Sequence, residues 1–363
     1  MKITIIAGAR PNFMKIAPII HAIQIAKDAG KNIDYRLVHT GQHYDKAMSD
    51  TFFEELNIPH PDVNLECGGG TQAEQTASIL IAFEKELKNN PTDIVLVVGD
   101  VTSTMACSIV AKKMNTKVAH VEAGIRSFDL SMPEEINRMV TDSITDYFFT
   151  TSDFANKNLK SAGVLDENIF FVGNVMIDTL LKNMDRLKKP LVFDSLNLKE
   201  KSYFVLTLHR PANVDEASKL QLLLKEIVNN TNGLPIIFPI HPRTRNILND
   251  LGISLDNLEI VEPLGYLEFN YLVKNAKAVI TDSGGITEET TVMGVPCLTL
   301  RDNTERPETI SLGTNELVGT DPKKIKPVLD LLWRGEWKKG TIPPYWDGQS
   351  ANRIIDALIT LGL

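Results

Sequence analysis

The amino-acid sequence predicts an α/β protein of two doubly wound halves, each a parallel sheet with helices on both faces. Three observations carry this. Short β-branched runs end in polar or glycine turns and alternate with segments of helical period. The alternation stops and restarts after about residue 185. The length, 363 residues, corresponds to about two domains at roughly 150 residues each. Apolar runs without polar alternation belong to strands buried on both faces. Two such halves place a ligand in the cleft facing the carboxyl ends of both sheets.

The first strand is 3–7, and Ile16, Ile19, Ile20 and Ile23 then recur at helical spacing. Further strands are expected at 35–39, 94–98, 118–121 and 147–150, with helices around 44–56, 72–89, 104–114, 133–145 and 153–161. The stretch 187–202 is rich in Lys, Pro and Asn and follows a linker. A second strand set falls at 203–208, 235–240, 259–261, 278–281 and 296–300, with helices at about 215–230, 242–251, 266–275, 285–293 and 322–333. The expected domains are 1–175 and 186–345, and a last helix at 349–363, set apart by 340–348, packs back on the first.

Composition narrows the function. Lys and Arg total 38 against 46 Asp and Glu, a net charge of −8, which argues against a nucleic-acid binder while leaving room for a local cationic pocket. No apolar run approaches the roughly 18–20 residues of a membrane span, and 1–8 ends without a signal-peptide cleavage site. Three widely spaced cysteines, Cys67, Cys107 and Cys297, suit neither a disulfide framework nor a four-cysteine zinc site, and fit a reducing cytoplasm.

The polar residues with chemistry gather at strand ends. After the first strand comes Gly8-Ala9-Arg10-Pro11-Asn12, with Lys15 one helical turn on. A strand end running into a helix N-terminus offers amide donors and a positive dipole end, so an anion site is one reading and a surface arginine on an ordinary turn the other. No G-x-G-x-x-G and no G-x-x-x-x-G-K-[ST] occurs, which argues against a dinucleotide oxidoreductase and a P-loop ATPase. Asp100, after the strand 94–98, is either a helix N-cap or a carboxylate facing the cleft. Glu122 follows the strand 118–121, where a helix former has no local reason to stand. Glu134, behind Pro133, has the ordinary reading of a dipole partner in a first helical turn. Three carboxylates arriving at one sheet edge shift one another's pKa, as acid–base catalysis requires.

In the second half His209, beside Arg210, ends the strand 203–208 and is either structural or a proton-transfer or phosphate-contacting group. His241-Pro242-Arg243-Thr244-Arg245 forms a second basic loop. No H-E-x-x-H, C-x-x-C or EF-hand pattern is present. The most informative segment is Thr281-Asp282-Ser283-Gly284-Gly285-Ile286-Thr287-Glu288-Glu289. Two glycines at a helix start let a phosphate approach the backbone, and Glu289, one turn in, is placed to accept hydrogen bonds from a ribose diol. With Arg306 after the next strand, the set favours nucleotide-sugar binding over two merely capped helices.

Taken in order, Gly8-Ala9-Arg10-Pro11, Gly99-Asp100, Val121-Glu122-Ala123-Gly124, Pro133-Glu134-Glu135-Ile136-Asn137-Arg138, Asp282-Ser283-Gly284-Gly285 and Thr304-Glu305-Arg306-Pro307 resemble the non-hydrolysing UDP-N-acetylglucosamine 2-epimerases, from residue 3 to about 360. The resemblance implies a glycosyltransferase-B-like fold of two Rossmann-like domains with UDP-sugar in the cleft, and a homodimer working without NAD or a required metal. The reaction it implies interconverts UDP-GlcNAc and UDP-ManNAc by eliminating UDP across C1–C2 to 2-acetamidoglucal and adding it back, in polysaccharide precursor synthesis. By the same resemblance Asp100, Glu122, Glu134 and His209 are the acid–base candidates. Arg10, His209, Ser283, Gly284 and Gly285 would hold the phosphates, Glu289 the ribose, the 263–266 loop with Tyr266 and Phe269 the uracil, and Arg306 and Lys15 would line the site.

One departure concerns regulation. Many bacterial members continue the His-Arg motif with a second Arg and a Glu, whereas here Pro211-Ala212-Asn213 follows. In those enzymes a second UDP-GlcNAc binds as an activator beside the equivalents of Gln42, His43 and Gln72. Another branch, acting on UDP-2,3-diacetamido uronic acids, tends to carry Gln-Phe-Ile-Lys and His-Arg-Ala-Glu-Asn where this chain has Asn12-Phe13-Met14-Lys15 and His209-Arg210-Pro211-Ala212-Asn213, which favours UDP-GlcNAc. A hydrolysing epimerase and a transferase of the same fold are the remaining enzyme alternatives.

Overall fold

The structure is a computed structural model that describes residues 1–41, 53–240 and 255–362, with the backbone alone for Arg10 and Pro211. The expected helices at 44–56 and 242–251, and the basic loop 241–245, lie largely or wholly outside the described residues. The chain divides into two units, Met1–Lys182 with Pro344–Leu363, and Asn183–Pro343.

The first unit is built on seven strands: β1 (Lys2–Ala7), β2 (Asp34–His39), β3 (Val63–Asn64), β4 (Ile94–Val98), β5 (Lys117–Val121), β6 (Tyr147–Thr150) and β7 (Ile169–Phe171). They form one parallel sheet in the order β3-β2-β1-β4-β5-β6-β7. The second unit has six: β8 (Phe204–Thr207), β9 (Ile236–Pro239), β10 (Leu258–Val261), β11 (Ala278–Thr281), β12 (Cys297–Thr299) and β13 (Asn315–Leu317), in the parallel order β10-β9-β8-β11-β12-β13. Each sheet runs outward from its first strand in one direction and then restarts on the other side. This is the doubly wound order, and it opens a crevice at the carboxyl ends of the two strands where the winding reverses. Those strands are β1 and β4 in the first unit and β8 and β11 in the second.

The continuous apolar runs follow from burial on both faces. All five residues of β4 are buried, and Val95 and Val97 pack under the helices Gln72–Asn89 and Thr102–Lys113 with Ile6, Val38, Phe83 and Val110. In the second unit Phe204, Leu206, Phe238, Ile280 and Leu298 meet Leu220, Leu224 and Leu329 on one face, and Val205, Ile237 and Val279 meet Leu272 and Val273 on the other. The sequence reading omits β3, β7 and β13. These are edge strands of two or three residues, mostly half-buried, so no apolar run marks them. Among the described residues no helix is long and apolar enough to cross a membrane.

The last helix, Ser350–Thr360, belongs to the first unit and packs against the helix Arg10–Asp28. Its entry is fixed by specific bonds. The Asp178 carboxylate accepts the backbone amides of Ser350 (3.1 Å) and Ala351 (2.7 Å), satisfying two donors that a helix start leaves open. Trp346 is fully buried and its indole N–H donates to the Thr151 carbonyl at 3.0 Å. Gly173 stands in the left-handed region at φ +96°, and a Cβ there would lie 2.0 Å from the Tyr345 carbonyl oxygen. Both space and conformation therefore demand glycine. Gly173→Ala is expected to destabilise the protein by about 2–4 kcal/mol, read as a lower urea midpoint; an unchanged midpoint would show that this turn does not hold the terminal helix.

Candidate active site

The first unit's winding reverses between β1 and β4, and their carboxyl ends carry Gly8–Lys15 and Gly99-Asp100. Asn12 ties the two together. Its Oδ1 accepts the amides of Gly8 (2.9 Å) and Ala9 (3.0 Å), while its Nδ2 donates to the Val98 carbonyl at 3.3 Å. Gly8 approaches so closely that a Cβ would lie 2.1 Å from Ser103 Oγ. Gly99 has φ +67°, and a Cβ there would sit 2.7 Å from Lys15 Nζ. Glycine at this position therefore lets the lysine pass beside the β4 turn.

Lys15 uses that space to meet Glu122 at 2.6 Å, with only 9% and 3% of the two residues exposed. Glu122 holds a left-handed backbone, φ +70°, unusual for a residue with a side chain and frequent where function dictates geometry. The turn around it is braced by Asp142, whose Oδ1 lies 2.7 Å from His120 Nδ1 and whose Oδ2 lies 2.7 Å from Arg126 Nη1 and accepts the Gly124 amide at 3.1 Å. His120 Nε2 in turn donates to the Gly99 carbonyl at 2.8 Å, so one buried chain links the β4 and β5 ends. Burial pushes the Asp142 carboxyl up, but His120 and Arg126 more than offset it and hold it below the usual carboxylate range.

Asp100 is gripped from the helix Pro133–Ile144. Arg138 donates to Asp100 Oδ2 through Nη2 (2.5 Å) and Nε (3.1 Å), and Asn137 donates to the Asp100 carbonyl (2.9 Å). The same guanidinium holds Glu135 at 2.6 Å, which also accepts the amides of Ser127 and Phe128. Burial opposes ionisation of Glu135, and these donors bring it below its usual range. The reading from sequence singles out Glu134, which is half-buried, and gives Glu135 and Arg138 no part. The only local signal was the three-residue spacing of Glu135 and Arg138 on one helix face. The Arg10 side chain, Gln42 and His43 lie outside the described residues, and Gln72 is exposed at the start of the helix Gln72–Asn89.

The second unit reverses between β8 and β11, whose carboxyl ends carry His209 and Asp282-Ser283-Gly284-Gly285. Ser283 precedes the helix Gly284–Met293 and makes no side-chain cap, leaving the first-turn amides facing outward from a positive dipole end. A Cβ on Gly284 would lie 2.7 Å from Glu305 Oε1, so a larger residue here would have to displace that carboxylate. Glu289, one turn in and 4% exposed, accepts the Tyr266 hydroxyl at 2.8 Å and the Asn270 amide at 3.4 Å. Burial pushes its carboxyl up to about 7 despite both donors. Tyr266 is thereby committed to Glu289, and Phe269 is partly buried against the core beside Leu264 and Ile286. Arg306 is buried with its Nε on Glu288, and Arg301 pairs with Glu305 at 2.7 Å. Among the described residues no group of three or more His, Cys, Asp or Glu is arranged to hold a metal.

Each unit thus brings its own share of the expected residues to its own reversal point: Lys15, Asp100 and Glu122 in the first, and His209, Ser283, Gly284, Gly285 and Glu289 in the second. A family model described as UDP-N-acetylglucosamine 2-epimerase matches residues 25–359. The UDP-N-acetylglucosamine 2-epimerase of Methanocaldococcus jannaschii is 43% identical over 371 residues, covering 99% of each chain. A crystal structure of M. jannaschii UDP-GlcNAc 2-epimerase in complex with UDP-GlcNAc and UDP superposes with a TM-score of 0.88 at 42% identity, over 99% of this chain and 100% of that one. The UDP-2,3-diacetamido-2,3-dideoxy-D-glucuronate 2-epimerase of Pseudomonas aeruginosa is 38% identical over 365 residues, 99% of this chain and 100% of that protein.

The buried Asp142 has a measurable signature. Its folded pKa lies below the ordinary 3.8, so its stabilisation is fully present above that value and is lost as pH falls through the folded pKa. Asp142→Asn leaves the buried His120 and the Arg126 guanidinium without their carboxylate and is expected to cost about 3–5 kcal/mol at pH 7. The gap to wild type should stay level down to about pH 5 and shrink below pH 3.8 in urea denaturation; a gap constant to pH 2.5 would deny the ion pairing.

Proposed function

This chain belongs to the UDP-N-acetylglucosamine 2-epimerase family, and from that premise we propose that it interconverts UDP-GlcNAc and UDP-ManNAc. It is an isomerase, and its two Rossmann-like units are those of the glycosyltransferase-B type. The observation that carries the proposal is the pairing at the β4 and β5 ends: an ionic Lys15–Glu122 contact beside Gly99, with Asp100 next in the chain and held by Arg138. The C2 proton of UDP-GlcNAc is weakly acidic, so a base must be placed on it while the C1–O bond to UDP breaks. Proton loss from C2 and departure of UDP leave 2-acetamidoglucal. Re-addition forms the C1–O bond again and delivers a proton to the opposite face of C2.

In this reading Asp100, Glu122, Glu134 and His209 exchange the protons. Arg10, Lys15, Arg306, His209 and the amides of Ser283, Gly284 and Gly285 stabilise the departing diphosphate. Glu289 receives the ribose hydroxyls, and the 263–266 loop with Tyr266 and Phe269 receives the uracil. The enzyme works in the cytoplasm as a homodimer, supplies polysaccharide precursors, and has domains 1–175 with 349–363 and 186–345. The Gln42, His43 and Gln72 region is where a second UDP-GlcNAc would act as activator. The Lys15–Glu122 contact at 2.6 Å supports Glu122 as the base, because it fixes the carboxylate at the β5 end beside Gly99 and Asp100.

The test is ¹H NMR of UDP-sugars incubated with the protein in D₂O. UDP-GlcNAc should yield UDP-ManNAc with deuterium at C2, whereas UDP-GlcNAc left unlabelled under saturating enzyme would refute the proposal, and accumulation of free ManNAc would assign the hydrolysing reaction instead. Asp100→Asn and Glu122→Gln are each expected to slow C2 exchange by about 10²–10⁴-fold with UDP affinity changed only several-fold; a variant that keeps its exchange rate removes that residue from the chemistry. Glu289 adds a pH dependence. A ribose diol donates to a carboxylate, and this one holds its proton up to about pH 7. UDP-GlcNAc, which does not itself titrate near neutrality, should lose affinity by about tenfold per unit as pH falls below that point, and Glu289→Gln should flatten the profile in calorimetry. A wild-type profile flat from pH 5.5 to 8.5 would exclude the ribose contact.

A further inference from the structure

Asp282 closes β11 and is fully buried, yet it collects donors from the neighbouring strand end. β8 and β11 pair in register, Thr207 opposite Thr281, with their hydroxyls 2.6 Å apart. This brings the residues after both strands side by side. Asp282 accepts the His209 amide on both oxygens (3.2 and 3.1 Å), the Arg210 amide at 2.9 Å and the Asn213 side-chain amide at 3.1 Å. Its Oδ1 also lies 2.8 Å from His209 Nδ1. Burial alone would favour the neutral acid, but the His209 contact, the Arg210 amide and the Asn213 amide hold the carboxyl below its usual range. The group facing Nδ1 is therefore an acceptor only.

A neutral imidazole carries one N–H, and the acceptor facing it decides which nitrogen bears it. Opposite a carboxylate the proton sits on Nδ1, which leaves the Nε2 lone pair pointing away from the protein. The His209 side chain is 61% exposed and meets Asp282 through Nδ1, so Nε2 is the nitrogen on the far side of the ring. The other charged groups nearby are Arg210, next in the chain, and Glu305, 4.0 Å from the Arg210 guanidinium and paired with Arg301.

We infer that Asp282 is a positioning residue for His209, locking the imidazole in the Nδ1–H tautomer so that Nε2 is the atom offered to the substrate. The inference rests on the proposed role of His209 in proton exchange or phosphate contact. It separates Asp282 from the rest of its motif: Ser283, Gly284 and Gly285 supply backbone to the phosphates, while Asp282 acts only through the histidine.

The deciding experiment uses full-length protein labelled with ¹⁵N-histidine and long-range ¹H–¹⁵N correlation at pH 8. Wild-type His209, assigned by its absence in His209→Gln, should show the Nδ1–H tautomer. In Asp282→Asn the side-chain amide can still accept the backbone amides but can turn its NH₂ toward Nδ1, so the ring should switch to Nε2–H. C2 exchange should then fall on the order of 10²–10⁴-fold, with KM for UDP-GlcNAc changed only a few-fold. Three outcomes overturn the inference: an Nε2–H tautomer in wild type, wild-type exchange in Asp282→Asn, or lost exchange with the tautomer unchanged. The wild-type measurement needs no variant, so an unfolded Asp282→Asn still leaves the inference exposed to refutation. A wild-type protein without exchange activity would instead defeat the proposed function, whatever the tautomer.

Discussion

Charged side chains are buried at the carboxyl ends of the strands where each sheet reverses, and the surrounding structure is arranged around keeping each of them matched. Removing an ion from water costs several kcal/mol even after the protein relaxes, so every such group must have an opposite charge or several donors within reach. Lys15 answers Glu122, Arg138 answers both Asp100 and Glu135, Asp142 stands against His120 and Arg126, and Asp282 takes its donors from the turn after β8. Glu289 is the exception that shows the rule. Its partners are a neutral hydroxyl and a neutral amide, and its carboxyl accordingly rises to about 7.

This matching explains features that look unrelated. Gly99 is glycine because Lys15 must pass it, and Gly284 because Glu305 lies against it. Glu122 takes a backbone conformation that few residues with side chains accept, because the β5 end has to turn its carboxylate toward Lys15. The helix Pro133–Ile144 points Arg138 inward although an arginine there could be solvated, and the buried network fixes the Gly99-Asp100 and Glu122–Gly124 turns relative to each other. Buried ion pairs are a poor way to stabilise a fold when apolar side chains of similar size are available. Their concentration at the strand ends is intelligible as a cost to stability carried for the proposed chemistry.

Much of this was legible in the sequence where a single element determines the outcome. The strands 94–98, 147–150 and 278–281 have the bounds read from their apolar runs, because burial on both faces leaves an unbroken signal. Once the strands are located, the residues after them fall at the sheet edge by necessity, which is why Asp100, Glu122, His209 and Ser283 could be named. What escaped depends on contacts between distant elements. Arg138 meets Asp100 across 38 positions, and Asp282 meets His209 across 73. Placing Glu135 in the network of Arg138 and Asp100 required the rotational setting of a helix that its own sequence does not disclose. The positive φ of Glu122 has no local signature, since Val121-Glu122-Ala123 offers no turn-forming residue before Gly124. The edge strands β3, β7 and β13 exist because a neighbour provides their hydrogen bonds.

The central claim is that the Lys15–Glu122 pair is kept for chemistry at no gain to the fold. The most direct measurement is the urea stability of Lys15→Met/Glu122→Gln, which removes both buried charges together, alongside its C2 exchange rate. Stability is expected to equal wild type within about 1 kcal/mol, or to exceed it, with exchange abolished. A double variant destabilised by about 3 kcal/mol or more while still exchanging C2 would contradict it.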